Sequence, residues 1–269
     1  MKKILILLFG LFLGTYLVAQ NLSGLIRYNF TFPAPAELRT FPAYLYFNTE
    51  KSLFDYDKLV YMRKEDSMEV NASVTGDKPT KRKRDTYGQM YLTDKKTSII
   101  YFREFIYGKP YISQEKIPVI PWQLKNEVKT ILGFSCKNAT AEFRGRKYIV
   151  WYTPAIPASV GPWKLQGLPG AILEAKSEDG EVSFEAESIR IPADVQKELS
   201  ISEIPDGKMV SYPDEYRKAM KTEYEKESEK TNALIMNIIE IGKKEGKIPN
   251  DAKFGKAKLF EMFTIEKYE

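Results

Sequence analysis

The chain has 269 residues, 43% of them hydrophobic, with a single cysteine and no histidine. The missing histidine excludes Ser-His and Cys-His catalysis and histidine-ligated zinc or haem, and the single cysteine excludes an internal disulfide. The net charge of +5 is small and the charges are well mixed, so the composition does not indicate a nucleic-acid-binding protein.

The N-terminus has the pattern of a secretory signal peptide. Lys2 and Lys3 precede an apolar run over residues 4–13, and small residues follow at 18–20. We predict that residues 1–20 are a signal peptide and that 21–269 form a single β-rich domain, periplasmic or extracellular. No later apolar run is long enough to cross a bilayer, so we expect no transmembrane segment after cleavage.

Alternating apolar and polar residues over 23–33 predict an antiparallel strand with one buried face. The polar, aperiodic stretch 59–84 predicts strand fragments and a long loop that includes a solvated basic run at 81–84. Similar short patterns predict further strands at 43–48, 51–56, 87–93, 97–107 and 111–116, and residues 128–134 are mostly apolar, with Gly133 near their end.

The middle third carries the densest strand and turn signals. Arg144-Gly145-Arg146 predicts a tight turn, and 147–152 is apolar on both faces, which predicts a central strand. The three prolines of 153–162 predict an ordered loop. Beyond it, we predict a strand over 172–177 and another over 181–191, the second with a bulge near Ser188.

Residues 211–245 predict one long helix because their apolar residues recur at helical spacing. Ser211 with Asp214 predicts a capping box, Gly246 a C-terminal stop, and the aromatic tail 253–268 a short docked helix. The predicted fold is mainly β (α+β): a curved antiparallel sheet or half-open barrel with one long C-terminal helix packed on it.

The hexapeptide G-L-P-G-A-I at 167–172 resembles the motif that names the GLPGLI family of exported bacterial proteins. The T-I-L-G-F-S-C-K-N-A-T-A segment around Cys136, the W-Y-T-P segment at 151–154 and the G-P-W segment at 161–163 also resemble that family. Ala171 stands where the family name has leucine. The resemblance implies export and a shared fold, and no catalytic residue, because the family's function is uncharacterised.

A structural role explains the motif without a ligand. The chemistry of Leu168-Pro169-Gly170-Ala171 predicts a type II turn, with proline at the second position and glycine at the third. In a turn of this kind Gly170→Val costs about 1–3 kcal/mol. We therefore interpret the motif residues as structural: Gly167, Leu168, Pro169, Gly170 and Ile172.

Trp151, Tyr152 and Trp163 are the predicted ligand-binding residues, as walls of a groove. The sequence predicts no catalytic residue, metal or cofactor, and we expect Cys136 to be a buried small hydrophobe. The leading hypothesis is a non-enzymatic binding or accessory protein of the cell envelope. Its candidate partners are an outer-membrane protein or an apolar, sugar or peptide ligand.

Two alternatives remain open. The first is a carboxylate-dependent, glycosidase-like hydrolase, which needs two acidic side chains converging in a pocket. Its strand candidates are Glu142, Glu174, Glu185 and Glu187. The second is a structural or partner-binding envelope protein, which predicts a flat apolar patch or an open edge strand.

Overall fold

A computed structural model of the chain describes residues 22–33, 38–56, 88–200 and 207–251, together with Glu266. Two helices, α1 (Gln196–Leu199) and α2 (Asp214–Lys244), accompany twelve strands. In chain order the strands are β1 (Gly24–Pro33), β2 (Leu38–Phe47), β3 (Lys51–Tyr56), β4 (Gln89–Asp94), β5 (Ile99–Ile106), β6 (Lys109–Lys116), β7 (Gln123–Ile131), β8 (Phe134–Phe143), β9 (Arg146–Thr153), β10 (Ala171–Ser177), β11 (Ser183–Arg190) and β12 (Lys208–Met209).

All twelve strands belong to one open sheet, in the order β12-β6-β5-β4-β3-β2-β1-β11-β10-β9-β8-β7. Strands β1 to β6 form one antiparallel meander and β7 to β11 a second one. The two meanders join where β1 pairs with β11, while the short β12 pairs parallel with β6. The mainly β fold with one long C-terminal helix, predicted from the sequence, is confirmed.

Three hairpins of the sheet turn through two residues that both have positive φ, the conformation of a type I′ turn. They are Tyr107-Gly108, Leu132-Gly133 and Arg144-Gly145. The tight turn predicted at Arg144-Gly145 is therefore confirmed. The apolar segment 128–134 runs from the end of β7 to the start of β8, because the turn at 132–133 separates these strands.

The predicted bulge in β11 is confirmed at the junction of the meanders. Arg27 pairs with Ser188 and Tyr28 with Ala186, so Glu187 is the extra residue. Strand β9, predicted to be central, instead lies between β8 and β10 near one end of the sheet. Its outward-facing Ile149 is 36% exposed, so the sheet is not covered on both faces there.

The core lies on one face of the sheet, which we call the inner face. Phe30 stacks on Phe184 with ring centroids 4.5 Å apart, and Phe54 meets Phe184 edge-on. Rings of this kind contribute both buried apolar area and favourable ring geometry. On the opposite, outer face a smaller cluster forms where Leu199 of α1 packs near Leu53 and Leu92.

Helix α2 packs against the rest of the protein by its N-terminal half, where Tyr216 and Ala219 are buried. Among the described residues, no helix is long and apolar enough to cross a membrane. The predicted Ser211–Asp214 capping box is wrong. The Ser211 N–H instead donates to the Glu215 carboxylate at 2.8 Å, which lowers the pKa of Glu215. The predicted stop at Gly246 is confirmed by a Schellman pattern of hydrogen bonds at the C-terminus.

Three predictions from the sequence fall outside the described residues. They are the signal peptide at 1–20, the whole polar stretch at 59–84, and the docked tail at 253–268 apart from Glu266. The single-domain boundary at residue 21 likewise stays a prediction.

Candidate functional site

The connection 154–170 between β9 and β10 packs onto the inner face, as predicted for an ordered loop. Its backbone is held by hydrogen bonds from Ala171 N–H to Ile156 O at 3.1 Å and from Ile172 N–H to Val160 O at 2.9 Å. Ile156, Val160 and Leu165 are buried. Apolar anchors at this spacing let an irregular segment behave as a fixed part of the core.

The G-L-P-G-A-I corner at the end of this loop is not a type II turn. The Ala171 N–H bonds to Ile156 rather than to Leu168, and the Gly170 N–H donates to Leu168 O at 2.8 Å. Gly170 has φ +154°, and a Cβ placed on it would lie 2.2 Å from the carbonyl oxygen of Thr153. The sequence identified the essential glycine correctly, but its main constraint is the adjacent backbone of Thr153.

The other motif residues also make intramolecular contacts. Leu168 and Ile172 are buried, and the Tyr28 hydroxyl donates to Ile172 O at 2.6 Å. Gly167 lies beside the indole of Trp122, which donates from Nε1 to the carbonyl of Gln166 at 2.8 Å.

Directly before this corner, the loop places a lysine in the core. Lys164 is 1% exposed and its ammonium lies 2.6 Å from Glu115 Oε1 and 2.7 Å from Glu266 Oε1. Arg144 pairs with the other oxygen of Glu115, and the Tyr212 hydroxyl donates to Glu266. We call these five residues the Lys164 cluster.

Five separate parts of the chain build the Lys164 cluster. Glu115 lies on β6, Arg144 in the β8–β9 turn, Lys164 in the loop and Tyr212 just before α2, while Glu266 comes from beyond α2. Two cations face two carboxylates, so the cluster is formally neutral. Such balance is required because an uncompensated buried charge is strongly destabilising.

Aromatic rings surround the ammonium as well. Lys164 Nζ lies 4.0 Å from the ring centroid of Phe102, 4.5 Å from that of Tyr212 and 5.8 Å from that of Trp163. A cation over ring faces gains further electrostatic attraction in a desolvated site.

The ionisation of Glu266 follows from these contacts. Burial raises its pKa, but the charge of Lys164 and the hydrogen bonds from Lys164 and Tyr212 together outweigh burial, so the pKa of Glu266 is lowered overall. The same carboxylate, together with burial, raises the pKa of the Tyr212 hydroxyl. Glu266 is thus held ionised next to a neutral phenol that donates to it.

Three buried donors beside the cluster have no hydrogen-bond acceptor in the described part of the chain. They are Arg144 Nε, Tyr148 Oη and Trp163 Nε1. The rings of Tyr148 and Trp163 lie 6.4 Å apart, and Arg144 Nε lies 4.0 Å from Glu266 Oε1. Buried donors are seldom left unsatisfied in native proteins. These three donors could therefore hydrogen-bond to acceptor oxygens brought into this part of the interior.

A second polar group lies deeper on the inner face. Glu104 accepts hydrogen bonds from the hydroxyls of Tyr91 and Tyr216, and Tyr56 donates to Gln89. Burial, followed by the charge of Glu104, raises the pKa of both Tyr56 and Tyr91. These tyrosines are therefore neutral donors at physiological pH.

The three predicted ligand-binding residues do not share one wall. Tyr152 and Trp163 lie on the inner face and are buried. Trp151 is the next residue of β9 and so lies on the outer face. There Lys129 of β7 places its ammonium 4.4 Å from the Trp151 ring centroid and 2.8 Å from Glu174.

The strand glutamates proposed for hydrolysis also lie on the outer face. Glu142, Glu185 and Glu187 are exposed, and Glu185 pairs with Lys176 at 2.7 Å. Among them, Glu174 and Glu185 are cross-strand partners that share Lys176. Two further carboxylates, Glu115 and Glu266, converge on Lys164 and were not predicted from the sequence. A lysine inside the otherwise apolar stretch around 163–165 is the signal that could have found them, because such a charge needs buried partners.

Cys136 is fully buried, as predicted, and burial raises the pKa of its thiol. We therefore expect the native protein to react with a thiol-specific disulfide reagent at least about 100-fold more slowly than the chain unfolded in urea. Absorbance of the released thiolate measures both rates. Rapid stoichiometric labelling of the native protein would contradict this burial.

Among the residues that the structure describes, strand β7 is an edge of the sheet and is exposed over most of its length. Leu124 is 60% and Val128 63% exposed, and Val119 just before the strand is 94% exposed. A register shift between Leu124 and Val128 locally interrupts the pairing of β7 with β8.

Comparison with known proteins gives a family of unknown function and a shared fold. Residues 144–174, from the β8–β9 turn to β10, match the family described as "Protein of unknown function (Porph_ging)". This match contains the loop, Lys164 and the G-L-P-G-A-I corner. No curated protein matches the chain.

Among solved structures, PNGF-II resembles the chain with a TM-score of 0.51 at 16% identity, over 76% of this chain. The chain spans only 34% of the PNGF-II chain, so the similarity concerns the fold of that part alone.

Two weaker similarities have TM-scores too low to support a common fold. One is to a putative outer membrane lipoprotein-sorting protein domain from Vibrio parahaemolyticus, with a TM-score of 0.29 at 10% identity over 66% of this chain and 89% of that one. The other is to a DUF1329 family protein from Desulfovibrio piger, with a TM-score of 0.28 at 9% identity over 68% of this chain and 92% of that one.

Proposed function

We propose that the protein is an exported, non-enzymatic accessory protein of the cell envelope that binds an extended segment of a partner protein along β7. The observation that carries this proposal is the exposed edge formed by β7. An edge strand presents unpaired backbone N–H and C=O groups to which another strand can add. The predicted signal peptide and the resemblance to the GLPGLI family support export, and the match of 144–174 to a family of unknown function supplies no catalytic role.

The side chains of β7 suit a selective contact. Leu124 and Val128 offer apolar area, while Lys125 and Lys129 flank them with charge. Lysines and a register shift at an edge oppose open-ended stacking of copies, which leaves a single specific partner strand as the occupant. The Lys129–Trp151 contact continues this surface onto the outer face.

The hydrolase alternative is less well supported by the carboxylates that converge. A general acid needs a raised pKa, whereas Lys164 and Tyr212 keep the pKa of Glu266 low. On the outer face Glu174 and Glu185 are opposite each other on β10 and β11, but both pair with Lys176 and Glu185 is half exposed.

Replacing both Leu124 and Val128 with lysine is expected to weaken partner binding by about tenfold or more, because each apolar side chain contributes about 1–2 kcal/mol when buried. The stability of the free protein should change by less than about 0.5 kcal/mol at such exposed positions. Met209, 63% exposed on β12 at the opposite edge, supplies the matched control Met209→Lys.

The measurement is photo-crosslinking in the native bacterium, with the reactive residue placed at 128 or at 209. We expect one discrete envelope-protein adduct from position 128 that is lost when Leu124→Lys is added, and none from position 209. Equal adducts from both positions would refute docking along β7. An exported protein that retained residues 1–20 would instead refute the signal peptide, without bearing on the edge.

A further inference from the structure

We propose that the Lys164 cluster is a binding site for an aromatic carboxylate ligand, and that the side chain of Glu266 occupies this site in the free protein. The ligand carboxylate replaces that of Glu266 between Lys164 and Tyr212. The ligand ring lies against the aromatic side chains that surround the ammonium.

The charges of the cluster are the first argument. Without Glu266, two cations, the buried Lys164 and the partly buried Arg144, face one carboxylate, that of Glu115. The remaining positive charge in a desolvated site attracts an anion strongly. Because Lys164 is 1% exposed, that anion must enter the interior to reach it.

The second argument is that the two carboxylates, Glu115 and Glu266, are held in different ways. Glu115 lies within β6 and pairs with both Lys164 and Arg144, so it is fixed by the sheet and by two partners. Glu266 comes from outside the sheet, from beyond α2. Of the two carboxylates, Glu266 is therefore the one that a ligand can exchange with while the sheet stays intact.

The third argument is that buried donors next to the cluster lack acceptors among the described residues, which indicates that the ligand carries further oxygen atoms. Glu266 gives no acceptor to Tyr148 Oη or to Trp163 Nε1, and both groups are buried. A ligand with further oxygen atoms near its carboxylate can accept from them. The rings of Phe102, Trp163 and Tyr212 around Lys164 Nζ favour a flat aromatic group next to that carboxylate.

An internal occupant lowers the apparent affinity for a free ligand, because the side chain competes at a high effective concentration. Glu266→Gln keeps the size of the side chain and removes its charge. We expect this variant to bind 3-phenylpropionate, a carboxylate on a short arm with one ring, at least about tenfold more tightly than the wild-type protein does. The uncharged 3-phenylpropionamide should bind to neither.

The experiment titrates both compounds into the full chain at matched ionic strength, and follows tryptophan fluorescence and the midpoint of thermal unfolding. Saturable binding of the carboxylate to Glu266→Gln, weaker binding to the wild type and none to a Lys164→Met, Glu266→Gln double variant supports the proposal. Equal binding to wild type and Glu266→Gln, equal binding of carboxylate and amide, or no binding to Glu266→Gln overturns it.

Glu266→Asp keeps the proposal testable if Glu266→Gln does not fold. This change shortens the competing side chain by one methylene and leaves Lys164, Arg144 and Tyr212 in place. The variant should bind 3-phenylpropionate with an affinity above that of the wild type, because the shorter carboxylate reaches Lys164 and Tyr212 less well. An affinity equal to that of the wild type would show that Glu266 does not compete for this site.

Discussion

Gly170→Ala is expected to lower the free energy of unfolding by about 4 kcal/mol or more, a loss of roughly 10 °C in Tm for a domain of this size. Two effects combine at this position. The φ of +154° lies in a region that essentially only glycine adopts. An added Cβ would also meet the backbone of Thr153 and Pro154 at 2.2 to 2.9 Å, and backbone atoms cannot rotate away as a side chain can.

Gly180→Ala separates these two effects. Gly180 also has positive φ, at +72°, but a Cβ there meets nothing within 4 Å. Its replacement should cost only about 1 kcal/mol, from backbone strain alone. Thermal and urea unfolding of both variants measure the difference. Equal decreases in the free energy of unfolding of the two variants would show that the clash with Thr153 does not contribute to the effect of Gly170→Ala.

Lys164→Met should destabilise the protein at pH 7 by about 3–5 kcal/mol, because it leaves Glu115 and Glu266 buried without their shared cation. Lys147→Met is the matched control. Lys147 pairs with Glu178 at 2.7 Å, but both side chains are about half exposed, and such a surface pair is worth less than about 1 kcal/mol.

The pH dependence of Lys164→Met gives a second readout. In the wild type the pKa of Glu266 is lowered on folding, so its stabilising contribution is present above the unfolded pKa and is lost as the pH falls through the folded one. Without Lys164, burial dominates and raises that pKa, so rising pH destabilises the variant. The stability gap to wild type should therefore narrow below about pH 4. A gap that stays constant with pH would mean that Glu266 does not depend on Lys164.

Local signals in the sequence predicted much of the sheet. Alternation along β1, the Arg144-Gly145 turn and the parity change near Ser188 each depend on neighbouring residues, and each is confirmed. The type II turn at 168–171 is wrong because a distant partner, Ile156, takes the N–H that a local turn would have used. The order of strands was not predicted, since β1 pairs with β11 across most of the chain.

The candidate site was harder to foresee for the same reason. Trp163 was predicted to be an aromatic wall, yet the neighbouring Lys164 brings the charge, and its carboxylate partners come from β6 and from beyond α2. Nothing in the spacing of Glu115 and Glu266 along the sequence links them. Trp151 and Tyr152 are adjacent residues of one strand and therefore lie on opposite faces, which alternation alone could have indicated.

The pairing of β1 with β11 has a consequence for how the protein is made. Within each meander every strand pairs with a neighbour in sequence, so each half can assemble as soon as its own residues are available. On β1, however, Tyr28 pairs with Ala186 of β11, so the backbone hydrogen bonds on that side of β1 form only after residue 186 is available. Long-range pairing of this kind forms slowly. Until β1 and β11 pair, each is an open edge of its own meander, and during that interval the folding chain is most exposed to wrong strand pairing.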